Sequence, residues 1–166
     1  MSVHDVPVDG ATLHVIDEGS GPPIVLLHSL TFHSGIWDDQ AAALASDHRV
    51  VRIDLRGHGG TRWAEPCDVT LEAMAEDVIS VLDALDLPQV AIGGLSLGGM
   101  VALRVALLRP DRVRSLALIS TSGQVEDPPV RDFYHQVNTA SRNKPSDEAT
   151  VGLVLSLMFS ETFRKE

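Results

Sequence analysis

An α/β fold, built as a mostly parallel sheet with helices on both faces, is what this sequence predicts, and three observations predict it. Short unbroken apolar runs, such as Ile24-Val25-Leu26-Leu27 and Val90-Ala91-Ile92-Gly93, suit strands that are buried on both faces. Segments with helical spacing alternate with these runs, as crossover connections between parallel strands require. Glycine-rich and proline-containing loops separate the two kinds of segment. There is no internal repeat and no low-complexity stretch.

In chain order, residues 12–17 alternate with strand periodicity and end at the loop Gly19-Ser20-Gly21-Pro22-Pro23. The run 24–27 is the first buried strand, and 38–44 is a short helix. Residues 49–54 form the next strand and lead into Arg56-Gly57-His58-Gly59-Gly60. Thr70 caps an amphipathic helix in which Leu71, Met74, Ala75, Val78, Leu82 and Leu85 recur on one face. Leu87-Pro88 ends it. The strand 90–93 then enters a turn, and a helix runs over about 97–108 until Pro110 stops it. Its small residues Gly98, Gly99, Ala102 and Ala106 let it lie close to the sheet. Residues 113–119 are one more buried strand, the sixth and last. From there the chain turns polar and then helical, so the expected division is a core over 1–124 and the start of a helical cap over 125–166, including the apolar stretch 151–159.

A chain of 166 residues that is 44% hydrophobic and 22% charged is an ordinary globular domain. Its net charge of -10 argues against nucleic acid or an anionic membrane as a partner. The single Cys67 excludes an internal disulfide and reads as a plain thiol in a reducing compartment. The apolar region 90–108 is not a membrane span, because it holds four glycines, Ser96 and Arg104. With no targeting signal at the start, a cytoplasmic location is expected. No metal or other cofactor is expected.

The chemistry centres on Ser96 in Gly94-Leu95-Ser96-Leu97-Gly98. A sharp strand-to-helix turn lifts the serine hydroxyl clear of the sheet, and Gly94 and Gly98 are needed because a side chain at either would strike the neighbouring strand or helix. A nucleophile there needs backbone donors for the oxyanion it creates. The N–H of Leu97, at the start of its helix, is one candidate. The N–H of Leu30, in the loop His28-Ser29-Leu30-Thr31 after the strand 24–27, is the other. The side chains of His28 and Ser29 are read as shaping that loop.

The remaining partners are missing. The seven histidines are His4, His14, His28, His33, His48, His58 and His135, and none lies on a loop after a late strand. His135 reads as a surface or cap-packing residue. His58 braces a turn, and His28 is the nearest in-chain substitute base, though a motif-loop histidine is usually held by its own hydrogen bonds. No acid directly follows 113–119, where the sequence is Ser120-Thr121-Ser122, and Asp127 and Asp132 have no histidine to orient. Trp37 and Trp63 are expected in the core.

Taken together, Ile24 to Leu30, Trp37, Asp54-Leu55-Arg56-Gly57-His58-Gly59 and Gly94-Leu95-Ser96-Leu97-Gly98-Gly99-Met100 resemble the N-terminal part of the α/β-hydrolase fold. The opening Val8-Asp9-Gly10-Ala11-Thr12-Leu13-His14 looks like that family's first hairpin. Ser29-Leu30 and the tail from Leu157 to Phe163 are similar to the 3-oxoadipate enol-lactonases and related esterases. The resemblance implies a serine hydrolase acting on a carboxylic ester or enol-lactone, with a serine, acid and histidine triad in which Ser96 is the nucleophile. It also implies that the acid, the histidine, the last two strands and the rest of the cap are not in this chain. Without the base, turnover falls on the order of 10⁶-fold, so the chain alone is expected to be nearly inert. The strand 113–119 would then be an open edge, and cover by a partner chain or a second copy is expected. Alternatives are a non-catalytic hydrolase-like binding or regulatory protein and one chain of a two-chain hydrolase.

Overall fold

The computed structural model describes residues 1–64 and 69–124, together with positions 128, 129, 132, 152 and 156. The chain divides into two compact units, Met1–Gly123 and Gln124–Glu166. In the second, the described positions from 128 onward are helical. Cys67, Asp127, His135 and most of the expected cap, including the tail from 157, fall outside the described residues.

Among the described residues, the first unit holds seven strands: β1 (Ser2–Val8), β2 (Ala11–Gly19), β3 (Pro23–Leu27), β4 (Arg49–Ile53), β5 (Arg62–Trp63), β6 (Val90–Leu95) and β7 (Val113–Ile119). Its helices are α1 (Asp38–Leu44), α2 (Leu71–Ala84) and α3 (Leu97–Leu108), with short 3₁₀ turns at Ser34–Trp37 and Pro110–Arg112. The sheet order is β1-β2-β4-β3-β6-β7, with β5 paired to β2 off this path. β2 runs antiparallel to its neighbours β1 and β4, and β4, β3, β6 and β7 run parallel. The first hairpin closes at Val8↔Ala11 through Asp9-Gly10, where Gly10 supplies φ +70°.

Side-chain alternation along the central strands explains why both faces need a helix. Val25, Leu27, Val51 and Ile53 point into a large core with Met74, Val78 and Leu82 of α2 and Val101, Ala102 and Val105 of α3. Leu26 and Val50 point the other way, into a smaller core with Trp37 and Ala41. Arg52 shares that second face, almost fully buried, and pairs with Glu18 at 2.5 Å and with Asp38 of α1. The run 24–27 lacks a polar side for this reason.

Helix α2 starts as expected: Thr70 is extended and its Oγ1 accepts the Ala73 N–H at 3.2 Å. It ends with Asp86 at φ 53°, while the Leu87 N–H reaches back to the Leu82 carbonyl at 2.8 Å. Two expectations need correction. Val113–Ile119 is the seventh strand, because the two-residue β5 carries no apolar signal of its own. Trp63 is also not core: it is 41% exposed, since β5 pairs with β2 only at Ala11 and Thr12, beyond the stretch that β4 covers. Trp37 is buried as expected. Strand β7 lies at the edge of the sheet, and Leu118 and Ile119 on it are 45% and 42% exposed. Among the described residues, no helix is long and apolar enough to cross a membrane.

Candidate active site

Ser96 stands between β6 and α3 with φ 50° and ψ -110°, a conformation that L-residues avoid. Such backbone costs roughly 1–3 kcal/mol and persists only where its surroundings over-determine it. The two glycines make the turn possible. A Cβ on Gly94 would lie 2.5 Å from the Gly99 nitrogen, inside the first turn of α3. A Cβ on Gly98 would lie 2.6 Å from the Leu27 carbonyl carbon and 2.8 Å from the His28 oxygen, so α3 packs backbone-to-backbone on the end of β3.

Hydrogen bonds hold the strained residue. The Ser96 N–H donates to the Ile119 carbonyl at 2.9 Å. The Ser96 carbonyl accepts the N–H of Gly99 at 2.9 Å, the N–H of Met100 at 3.1 Å and the Thr121 hydroxyl at 2.8 Å. The residue itself is half-buried.

The loop after β3 rises at the same end of the sheet, because Leu27 pairs with Gly94. His28 and Ser29 are fully buried, whereas Leu30 is 44% exposed. The loop turns at Thr31, which has φ 70°, and the Phe32 N–H closes it onto the Ser29 carbonyl at 3.2 Å. Among the described residues neither the Leu30 N–H nor the Leu97 N–H has a hydrogen-bond acceptor. The fold thus gathers Ser96, Leu97 and the loop bearing Leu30 at one end of adjacent strands.

His28 is fixed at both ring nitrogens. Its Nδ1 lies 2.8 Å from the Ser29 carbonyl, and its Nε2 accepts the Leu55 N–H at 3.0 Å. These partners require a neutral ring protonated at Nδ1. Burial pushes its pKa down to about 4. The ring therefore braces the loop and has no free nitrogen for Ser96. His58 packs its ring 5.0 Å from that of His28 and places Nδ1 3.0 Å from the Arg56 carbonyl, bracing its turn. His33 Nδ1 accepts the Gly35 N–H at 3.1 Å.

Two residues of the Asp54 to Gly59 segment do more than the sequence disclosed. Asp54 is buried, and its carboxylate accepts the Ser34 N–H at 2.6 Å and the Gly60 N–H at 2.7 Å, tying the loop after β3 to the loop after β4. Burial alone would raise its pKa, but the N–H groups of Gly60 and Ser34 outweigh it and hold the carboxyl below the usual range. Arg56 forks onto Asp77 of α2 at 2.9 and 2.7 Å, with both side chains buried. An aspartate ending a strand before a glycine-rich loop was the available signal for the first tie. A concavity of about 460 Å³ lies beside these loops, lined by His14, His33, Ser34, Asp38, Asp54 and Gly60 among others, and Ser96 is not in its wall.

Residues 22–161 match the alpha/beta hydrolase fold family. The chain is 36% identical over 112 residues to a pimeloyl-[acyl-carrier protein] methyl ester esterase of Nitrosomonas europaea, covering 68% of this chain and 42% of that protein. It is 34% identical over 128 residues to 3-oxoadipate enol-lactonase 1 of Acinetobacter baylyi, covering 74% of this chain and 47% of that protein. Another relative, from Caballeronia sordidicola and 33% identical over 117 residues, bears the name epoxide hydrolase. Among solved structures, a thermophilic esterase from Thermogutta terrifontis superposes with a TM-score of 0.83 at 28% identity, over 98% of this chain and 61% of that one. The chain thus spans under half the length of these curated relatives. With the match running through β3, the strained serine turn and β7, the chain belongs to the alpha/beta hydrolase fold family.

Proposed function

We propose that the chain carries the nucleophile side of a serine hydrolase for a carboxylic ester or enol-lactone, working through an acyl-enzyme on Ser96. The observation that carries this reading is Ser96 held at φ 50° and ψ -110° at the head of α3, beside the unoccupied N–H of Leu97. The hydroxyl oxygen attacks the substrate carbonyl, its proton passes to a base, and the carbonyl π electrons move onto oxygen. The N–H groups of Leu97 and Leu30 receive that oxyanion. Collapse expels the alcohol or opens the lactone ring, and water then releases the acid from Ser96. Esterase and enol-lactonase relatives support the substrate class.

Of the candidate bases near the glycine-rich loops, His28 has both ring nitrogens engaged, and His33 and His58 each have Nδ1 engaged with backbone. In a second reading, a partner chain supplies the acid and the histidine. The exposed β7 edge, with Leu118 and Ile119 uncovered, is where such a partner or a second copy would dock. A location in the cytoplasm and a cap function for 125–166 belong to the same proposal. A hydrolase-like protein that only binds is the remaining alternative.

A fluorophosphonate tests the reading, because it adds to a nucleophilic serine with loss of fluoride. The full chain should acquire the adduct slowly on Ser96, faster with added imidazole as base, and Ser96→Ala should acquire none. A chain that stays unlabelled with imidazole refutes the nucleophile and supports the binding protein. Fast ester turnover by the chain alone would refute the missing base.

A further inference from the structure

We infer that Thr121 is a positioning residue that aims the oxyanion donor of this site; the inference rests on the reading of Ser96 and the Leu97 N–H given above. Thr121 stands just beyond β7, and its Oγ1 donates to the Ser96 carbonyl at 2.8 Å. That carbonyl and the Leu97 N–H belong to one planar peptide group and point in opposite directions. Fixing the carbonyl therefore fixes the direction of the N–H that meets the substrate oxygen. The hydroxyl also pulls electron density toward the carbonyl oxygen, which makes the Leu97 N–H a stronger donor.

The helix alone does not require this contact. The Gly99 and Met100 N–H groups already satisfy the Ser96 carbonyl in the way an N-cap carbonyl normally is satisfied. Thr121 adds a third donor from outside the helix. Its geometry is built in on both sides. Ser120 takes φ 45°, which turns the chain back at the end of β7. The Thr121 side chain is wedged against the first turn of α3, where a Cβ on Gly99 would come within 2.7 Å of Thr121 Cβ and 2.8 Å of its Oγ1. Two residues earlier, at the last position of β7, the Ile119 carbonyl takes the Ser96 N–H. The end of β7 thus grips both peptide groups of the strained serine, one through backbone and one through the Thr121 hydroxyl.

The test compares the full chain with Thr121→Val, which keeps the shape and removes the hydroxyl, and Thr121→Ser, which keeps the hydroxyl. Fluorophosphonate labelling of Ser96, measured per folded molecule with imidazole present, should slow about three- to tenfold in Thr121→Val, the effect of losing one ordinary hydrogen bond in the transition state. Thr121→Ser should restore the rate. The amide proton resonance of Leu97 should move in Thr121→Val and return in Thr121→Ser. Should Thr121→Val fail to fold, Thr121→Ala removes the same hydroxyl and leaves space beside Gly99. A lower melting temperature with an unchanged labelling rate and an unmoved Leu97 resonance would overturn the inference. If the parent chain takes no label, the nucleophile reading fails by itself, and the Leu97 resonance still decides the role of Thr121.

Discussion

Adding one methyl group at Gly98 tests how the site is assembled. The new Cβ of Gly98→Ala would stand 2.6 Å from the Leu27 carbonyl carbon and 2.8 Å from the His28 oxygen, where ordinary contact begins at 3.4 Å. Both obstacles are backbone atoms of the strand and loop that lead to Leu30, so neither can rotate away. Helix α3 must retreat from β3 by most of an ångström, or β3 must move with the loop. Overpacking of this kind costs roughly 1–3 kcal/mol. The retreat also separates the Leu97 N–H from the Leu30 N–H, and a misplacement of about 1 Å costs on the order of 10²-fold in rate. Urea denaturation measures the first effect and fluorophosphonate labelling of Ser96 the second. Gly123→Ala serves as the control, because its Cβ would touch only Leu103 Cδ1 at 3.4 Å, and it should change stability by less than about 0.5 kcal/mol. A Gly98→Ala chain with parental stability and labelling would refute the account of the elbow glycines.

His28 makes stability fall on acidification. Its folded pKa of about 4 lies below its unfolded value of 6.5, so the unfolded chain binds the extra proton. The contribution is complete above pH 6.5 and is lost as the pH falls toward 4, a total of about 3 kcal/mol. Denaturation midpoints across that window should flatten in His28→Gln, and an equally steep profile in that variant would assign the slope to another group. At the end of α2, Asp86→Gly should stabilise the fold by about 1 kcal/mol, because glycine accepts φ 53° without strain and a negative charge leaves the helix C-terminus. Thermal unfolding of this variant below the parental temperature would contradict the assigned cap.

Much of the fold was legible because each signal is local. Thr70 and the spacing from Leu71 onward defined α2, Pro110 stopped α3, and the run 113–119 contained β7. The residues that escaped are those whose meaning depends on distant partners. Arg62 and Trp63 form a strand only because β2 continues past the end of β4. At the site, Ser96, Gly94 and Gly98 could be read from a strand followed by a glycine turn and a small-residue helix. Asp54 was marked only by its place before a glycine-rich loop, and Thr121 by nothing, because their partners lie 20 and 25 residues away in the chain and are backbone atoms, which leave no side-chain pattern. The concavity beside Asp54 likewise joins residues from 14 to 60 that no single motif groups together.

The alternation on β3 and β4 gives the molecule two separately adjustable halves. Leu27 and Ile53 belong to the core under α2 and α3, whereas Leu26 and Val50 belong to the one under α1 and Trp37. Residues that share no neighbours change stability nearly independently. The two halves meet at Leu95, the residue before Ser96, which packs against the smaller core. Away from that contact the α1 side, where the Trp37 indole nitrogen is buried without a partner among the described residues, can drift or be redesigned without passing strain to the helix that presents Ser96. A lineage could rework one wall of such a protein for new ligands while the serine turn stays as it was.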